Sequence, residues 1–248
     1  LQQKYNVNLS GGNKTVRYFV SVGYFTQTGM FETDVDKIKE HETIQALLAA
    51  SPDVAKGLYK EGYDSEYRYN RLTTRSNIDI NLTEDFKVSV NLAYRFGSQN
   101  RPYGYDANGD EALRLFGMFY RNSPQAFPIL NANGTYAAAD GIWRQNPLVT
   151  LCYSGFFLNF SNKLETDFVF KYNLRKLLKG LSIDGKFSYD AGWNNNRSIQ
   201  QRPNIYQYNP IAETYKQGLE MVLPTKATNK TAATHRKYAE AAVRYYSQ

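Results

Sequence analysis

Residues 67–97 read YRYNRLTTRSNIDINLTEDFKVSVNLAYRFG, and at a period of two they separate into two faces. Leu72, Thr74, Ser76, Ile78, Ile80 and Leu82 fall on one side; Arg71, Thr73, Arg75, Asn77, Asp79 and Asn81 fall on the other. After the polar break Thr83-Glu84-Asp85 the alternation resumes. Phe86, Val88, Val90, Leu92, Tyr94 and Phe96 make an unbroken apolar face, opposed by Lys87, Ser89, Asn91, Ala93, Arg95 and Gly97. Successive side chains of a strand point to opposite faces, so this stretch is a long hairpin, apolar on one face and polar on the other. What each face meets decides the fold.

The pattern recurs on both sides of that hairpin. Upstream, Tyr5, Val7 and Leu9 alternate within Lys4 to Ser10. A Gly11-Gly12-Asn13-Lys14 turn follows, then Val16, Tyr18, Val20, Val22 and Tyr24. Downstream, Leu164, Thr166, Phe168, Phe170, Tyr172 and Leu174 lead through a short connector, Arg175 to Gly180. Leu181, Ile183, Gly185, Phe187, Tyr189, Ala191 and Trp193 return. A final strand is expected near Arg236, with Ala239, Ala241, Val243 and Tyr245 on its apolar face.

The connections alternate between short and long. Asp34 to Gly62 holds a helical insertion, capped by Asp34, with Val35, Ile38, Ile44, Leu47 and Leu48 as its stripe and an end near Ser51-Pro52. Ser98 to about Phe156 is irregular and punctuated by Pro and Asn-Gly, with a short helix at Arg114 to Tyr120. A third polar connection runs over about 195–235. Tight turns at one end and long loops at the other are the pattern of outer-membrane barrels. Strands of roughly 10–16 residues exceed the ~5–6 of globular sheets and fit a tilted bilayer crossing. Tyr24, Phe25, Tyr67, Tyr69, Tyr94, Phe96, Phe156, Phe157, Phe160, Tyr189 and Trp193 lie toward the long-loop ends, where a girdle of amphipathic rings belongs. The expected fold is therefore all-β: a partial antiparallel transmembrane β-barrel of about seven strands, forming a curved open sheet in isolation, with a short helical insertion in one long loop. A soluble β-sandwich or barrel with an aromatic core is the alternative.

Composition narrows the classes further. With 21 Tyr and 14 Phe among 248 residues, and a mean hydropathy of −0.58, the chain favours strands over apolar helices. No run approaches the ~18 apolar residues of a spanning helix. The net charge of +7 is scattered over strands and turns rather than gathered on one surface, which argues against nucleic acid as a partner. Cys152, the only cysteine, rules out an internal disulfide and a cysteine zinc site, and reads as a small half-buried residue rather than a nucleophile. The chain opens and ends inside strand patterns, as a piece of a longer polypeptide would, so the absence of a leader sequence carries no information on location.

Reactive chemistry has little support. His41, in the inserted helix, and His235, beside the last strand, belong to no triad, metal or general-base pattern, so neither an enzyme nor a cofactor is expected. Asp106 to Glu111 resembles the opening of a calcium loop but lacks its terminal bidentate Glu, and an Asx turn is the preferred reading. The polar strand face is the chemical content. Arg17, Arg71, Arg75, Lys87, Arg95, Lys163, Lys171 and Lys186 stand there with Asp79, Glu165, Asp167, Asp184 and Asp190. In a barrel they line the lumen, either as a mildly cationic substrate path or as charges that hold a plug in register. Among the loop aromatics, Tyr103, Tyr105, Phe127, Tyr136 and Trp143 are candidates for stacking on sugar rings or peptide side chains, with simple loop packing as the alternative.

Several stretches together resemble the barrel of SusC/RagA-type TonB-dependent transporters of Bacteroidetes. These are Val7 to Gly12 with Val16 to Phe31, Arg68 to Leu92, Asn146-Pro147, and Lys179 to Asp190, in the same order along the chain. The resemblance implies that residues 1–248 are roughly a third, from the earlier half, of a barrel of about 22 strands. It implies import of glycans, oligopeptides or similar nutrients through the outer membrane. A SusD-like surface lipoprotein would serve as lid, and energy would come through the TonB complex. The plug domain and the remaining strands would lie outside this stretch, so no gating residue carries over. A passive porin-like barrel and a soluble carbohydrate-binding or adhesion module remain as rival functions.

Overall fold

The structure is a computed structural model that describes residues 1–50, 63–103, 117–120, 122, 126–139, 146–200, 204–217 and 226–245. Its main element is a seven-stranded antiparallel sheet in the order β1-β2-β3-β4-β6-β7-β10, which does not close on itself. The strands are β1 (Gln2–Gly12), β2 (Val16–Thr28), β3 (Arg68–Asn81), β4 (Phe86–Pro102), β6 (Gly155–Asn173), β7 (Leu181–Gln200) and β10 (Lys226–Tyr245). A second sheet of three short strands, β5 (Tyr136–Ala137), β8 (Ile205–Asn209) and β9 (Thr214–Gln217), is built from the long connections.

Register carries the two-faced pattern across the whole sheet. Tyr18, Ile78, Val90, Phe168, Phe187 and Ala239 follow one another strand by strand, each paired to the next. Shifting any strand by one residue would turn its apolar set to the polar side, so the period-two pattern fixes the pairing. The tight ends are built locally. The Asn13 carboxamide oxygen accepts from the amides of Thr15 and Val16, and the Thr83 hydroxyl accepts from those of Asp85 and Phe86. The exposed Arg175 guanidinium ties the 174–180 turn to Glu84 and Asp85 in its neighbour, at 2.7 and 2.5 Å.

The long connections differ in detail from the sequence reading. The inserted helix is two helices, α1 (Val35–Glu40) and α2 (Glu42–Ala50), because His41 between them is extended, with φ −65° and ψ 133°. Asp34 caps α1 as expected, accepting from the Asp36 amide. The expected end of the insertion at Ser51-Pro52 lies outside the described residues. Of the helix expected over 114–120, residues 117–120 are helical and the rest are not described. A helix not anticipated, α3 (Pro147–Cys152), precedes β6, and β7 and β10 both run further toward the loops than expected, to Gln200 and from Lys226. Gly155 joins α3 to β6 at φ +97°, where a Cβ would sit 1.9 Å from the Ile199 carbonyl oxygen, so only glycine fits.

Burial is concentrated off the main sheet. Val35, Ile44, Met118, Leu130, Tyr136, Val149, Leu151, Cys152 and Tyr153 form one buried cluster, with Phe31, Tyr67 and Ile205 packed on it. These residues come from all three long connections. On the sheet, by contrast, Val7 is 69% exposed and Phe168 45%.

Candidate functional site

Two surfaces carry the polar and aromatic groups that bear on function: the polar face of the main sheet and the cap made by the long connections. Arg17, Arg71, Arg75, Lys87 and Arg95 share one face. Arg17 is registered with Asp79, Arg71 with Gly97, Arg75 with Ala93, Arg95 with Thr73, and Lys87 with Asn81. Toward the tight turns this face is charge-paired. Asp79 accepts from Ser89 at 2.5 Å and pairs with Lys87 at 3.3 Å. Asp167 accepts from Ser188 at 2.5 Å and pairs with Lys186 at 3.4 Å. In mid-sheet, beside Arg95, Lys163 pairs with Glu165 along the same strand. Such exposed pairs contribute about 0.2–1 kcal/mol each.

Toward the long connections the same face changes to arginine and aromatic rings. The Arg71 guanidinium lies 5.3 Å from the Phe25 ring centre, and Phe25 is 6.0 Å from Tyr69. Arg101 lies 4.5 Å over Phe157. This corrects the expected girdle: Phe25, Tyr69 and Phe157 belong to the polar face, one residue out of phase with Tyr24, Phe96 and Phe156. Tyr189 is registered with Thr166 and Leu92, in mid-strand rather than at the loop end. Neighbouring aromatics in a strand point to opposite faces, so they cannot all belong to one belt. On the apolar face, Phe96 stacks on Phe160 at 6.1 Å and Tyr94 meets Trp193 at 6.5 Å.

The cap is organised around Asn146. Its carboxamide oxygen caps α3, accepting from the amides of Leu148 and Val149 at 3.0 and 3.4 Å. Its amide nitrogen donates to the carbonyls of Ile129 and Ala137 at 2.8 and 2.9 Å. The residue is 2% exposed and Ala137 1%, so the Asn146 carboxamide and the Ala137 carbonyl would otherwise be stranded. Asn131 acts similarly on the third connection, donating to Thr135 and to the Tyr206 carbonyl. The parallel pairing of Tyr136 with Ile205 adds to that link. The first connection is tied in by Ser65, which donates to the Leu151 carbonyl at 2.9 Å, and by Tyr63, whose hydroxyl accepts from the Gly155 amide at 2.9 Å.

Beside the cap lies an open cleft of about 670 Å³, lined by Glu32, Asp34, Lys37, Asp64, Glu66 and Arg68, with Cys152 on its floor. The acids are largely engaged: Lys37 pairs with Glu32 at 3.4 Å and Arg68 with Glu66 at 2.5 Å. Burial, and then the fields of Glu32 and Asp34, push the Cys152 thiol up to about 12. That leaves it protonated and inert at neutral pH.

Of the loop aromatics, Tyr136 is 7% exposed and its ring packs on Tyr153 at 5.2 Å, so its position supplies packing rather than a solvent-facing ring. Tyr103 continues β4, its amide donating to the Gly155 carbonyl at 3.0 Å. Tyr105 and Trp143, and the Asp106 to Glu111 segment, lie outside the described residues. No group of three or more His, Cys, Asp or Glu able to hold a metal occurs among the described residues. Sequence reading missed Asn146 as the organiser of the cap, although an Asn before Pro is the signal for a cap followed by a first helical residue.

No family model matches the sequence, and no curated protein matches it. Among solved structures, the fold is similar to a chain of the RagAB peptide importer in its open-open state, with a TM-score of 0.50 and 15% identity. That alignment covers 96% of this chain and 21% of the other. The RagAB peptide importer in its closed-closed state and the RagAB peptide transporter align at a TM-score of 0.49 and 16% identity, over 82% of this chain and 19% of theirs. The chain thus spans about a fifth of the length of the structures it matches.

Proposed function

We propose that this chain is a wall segment of an outer-membrane transporter of the SusC/RagA type, in which the apolar sheet face meets lipid and the polar face lines a solute path. One observation carries the reading: a seven-stranded sheet with alternating tight and long connections leaves a continuous apolar face uncovered by any layer of described residues. A soluble protein rarely leaves so large an apolar patch in water. On β4 the apolar run from Phe86 to Phe96 covers ten residue steps. At ~3.4 Å each and a tilt of ~40° it rises about 26 Å, the height of the lipid-facing band of an outer-membrane barrel. The sheet's open edges demand further strands, since unpaired backbone is not tolerated in lipid. The fold shared with a RagAB chain agrees with such a wall.

Within this reading the capped loops face outward and the imported nutrient is a glycan or oligopeptide. A SusD-like surface lipoprotein docks on the loop end, and energy arrives through the TonB complex. No covalent chemistry is involved. The test is fractionation followed by uptake. The complete polypeptide should resist carbonate extraction from outer membranes, co-purify with a lipoprotein encoded beside it, and drive uptake that a protonophore abolishes. Uptake indifferent to the protonophore would assign a passive pore. Release from membranes without detergent would assign a soluble binding module.

A further inference from the structure

The cations of the polar face are not evenly compensated. On that face strands β3 and β4 contain Arg71, Arg75, Lys87, Arg95 and Arg101 against one carboxylate, Asp79. On the same face strands β6 and β7 contain Lys163, Lys171 and Lys186 against Glu165, Asp167, Asp184 and Asp190. Lys87 has taken Asp79. Arg71, Arg75 and Arg95 form no ion pair among the described residues.

Register sets these three side by side. Arg95 faces Thr73, which sits between Arg71 and Arg75 on β3, so Arg95 is the diagonal neighbour of both. Diagonal positions on one face lie roughly 7–8 Å apart, within reach of one ligand for side chains of this length. Across the next strand pair Arg95 faces Lys163, and the carboxylate diagonal to Arg95, Glu165, is paired with Lys163 rather than with an arginine. Across the β3–β4 pair the residues registered with the arginines are small (Gly97, Ala93 and Thr73), which leaves room between the two strands for the guanidinium groups and for what they bind. Phe25 holds Arg71 from below by a cation–π contact at 5.3 Å.

We propose that Arg71, Arg75 and Arg95 form a carboxylate-binding station on the solute path, so that the transported solute is a polyanionic oligomer. The inference rests on the transport reading above. Planar guanidinium groups take carboxylates in bidentate fashion, and three arginines without an ion-pair partner among the described residues suit a ligand with several acidic groups in sequence. Two kinds of molecule present that chemistry: an oligopeptide rich in Glu or Asp, and an oligouronate glycan.

The complete polypeptide in detergent micelles, titrated with pentaglutamate, pentaglutamine, trigalacturonate and maltotriose, tests the station. At least one acidic oligomer should bind roughly tenfold or more tighter than its neutral counterpart, and the advantage should shrink as salt rises. Whichever acidic oligomer binds identifies the peptide or the glycan source. The Arg71→Gln/Arg75→Gln/Arg95→Gln variant should lose the acidic preference, and Arg95→Lys should keep part of it. Lys14→Gln/Lys176→Gln/Lys179→Gln in the far turns, with the same change of charge as the triple arginine variant, should keep all of it. Arg75→Gln alone guards against misfolding, since this exposed side chain makes no polar contact among the described residues, and it should weaken pentaglutamate or trigalacturonate severalfold. Equal binding of neutral and acidic oligomers, binding of neither acidic oligomer, or an acidic preference that survives the triple change would overturn the proposal. Protonophore-sensitive uptake of a neutral oligomer together with one of those results would sink the station and leave the transport reading standing. Absence of energised uptake of all four would sink the transport reading instead.

Discussion

The main sheet and the cap use the same residue types to opposite ends. In the cap, Tyr153 is 0% and Val149 1% exposed, and aromatic and aliphatic side chains from three connections close over one another. In the sheet, Phe170, Tyr172 and Phe187 stand on a face with nothing of the described chain above them. Burial of apolar area drives folding in water, at about 25 cal/mol per Å², so the cap can form as a small water-soluble core. The wall cannot draw on that term within its own chain. Its order comes from backbone pairing and cross-strand neighbours, and its apolar face calls for an apolar surrounding.

Substitutions separate the two regions, and the largest contrast lies within two adjacent residues of the wall. Val90→Arg should cost about 2–4 kcal/mol near the middle of the apolar band. Asn91→Arg, on the other face, should be tolerated. Urea unfolding of the complete barrel in liposomes measures both, and equal tolerance would remove the reason for putting lipid against the Val88, Val90 and Leu92 face. In the cap, Asn146→Ala removes a helix cap and strands the buried Ala137 carbonyl, a loss of about 2–3 kcal/mol. Hydrogen exchange should report it as faster opening of residues 129–137 and 146–153, with β3 and β4 unchanged. Spread of the loss into those strands would mean that cap and wall are one cooperative unit.

Cys152 gives a finer probe. Its thiol titrates near 12 when folded and near 8.5–9 when unfolded. The native state therefore holds its proton more tightly. Its contribution to cap stability is complete below about pH 8.5 and declines as pH rises toward 12. Alkylation at pH 8 should be far slower than for an unfolded cysteine, and should accelerate in Asn146→Ala. A rate unaffected by that change would mean that the thiol is reached without opening the cap. The smallest expected effect belongs to the exposed Arg175. Arg175→Gln should leave the unfolding midpoint unchanged within error at physiological salt, because screened pairs on a turn contribute little. A clear drop would make the turn clamp a real part of the wall's stability.

The wall was legible from sequence where its two faces meet different surroundings. Phe86 to Phe96 alternates because one side is apolar and the other polar, and both the hairpins and the seven-strand count follow from that alternation. Legibility ends where both faces are polar. Asn194, Asn195 and Asn196 are all in β7, and Thr228, Asn229 and Lys230 are all in β10, yet neither run has a period to read. The cap was harder for another reason. α3 has six residues and β5 two, too short for any periodicity, and their positions are set by contacts between connections distant in the chain. Tyr136 looked like a loop aromatic because nothing local reveals that Tyr153 will cover it. The polar-face arginines were placed correctly as a set. That three of them form no ion pair among the described residues depended on which carboxylates the register brings near.

The parallel pairing of Tyr136 with Ile205 has a mechanical meaning. It joins the connection between β4 and β6 to the one between β7 and β10 at an interior point of each, turning two long closures into several shorter ones. Closure entropy grows only slowly with length, at about 0.6 kcal/mol per doubling, so the gain is less in stability than in degrees of freedom. Pinned together there, the described segments 129–137 and 204–209 shift as one body. A molecule settling on this end meets a surface whose ordering was completed during folding, and less of its binding energy is consumed in arranging the loops.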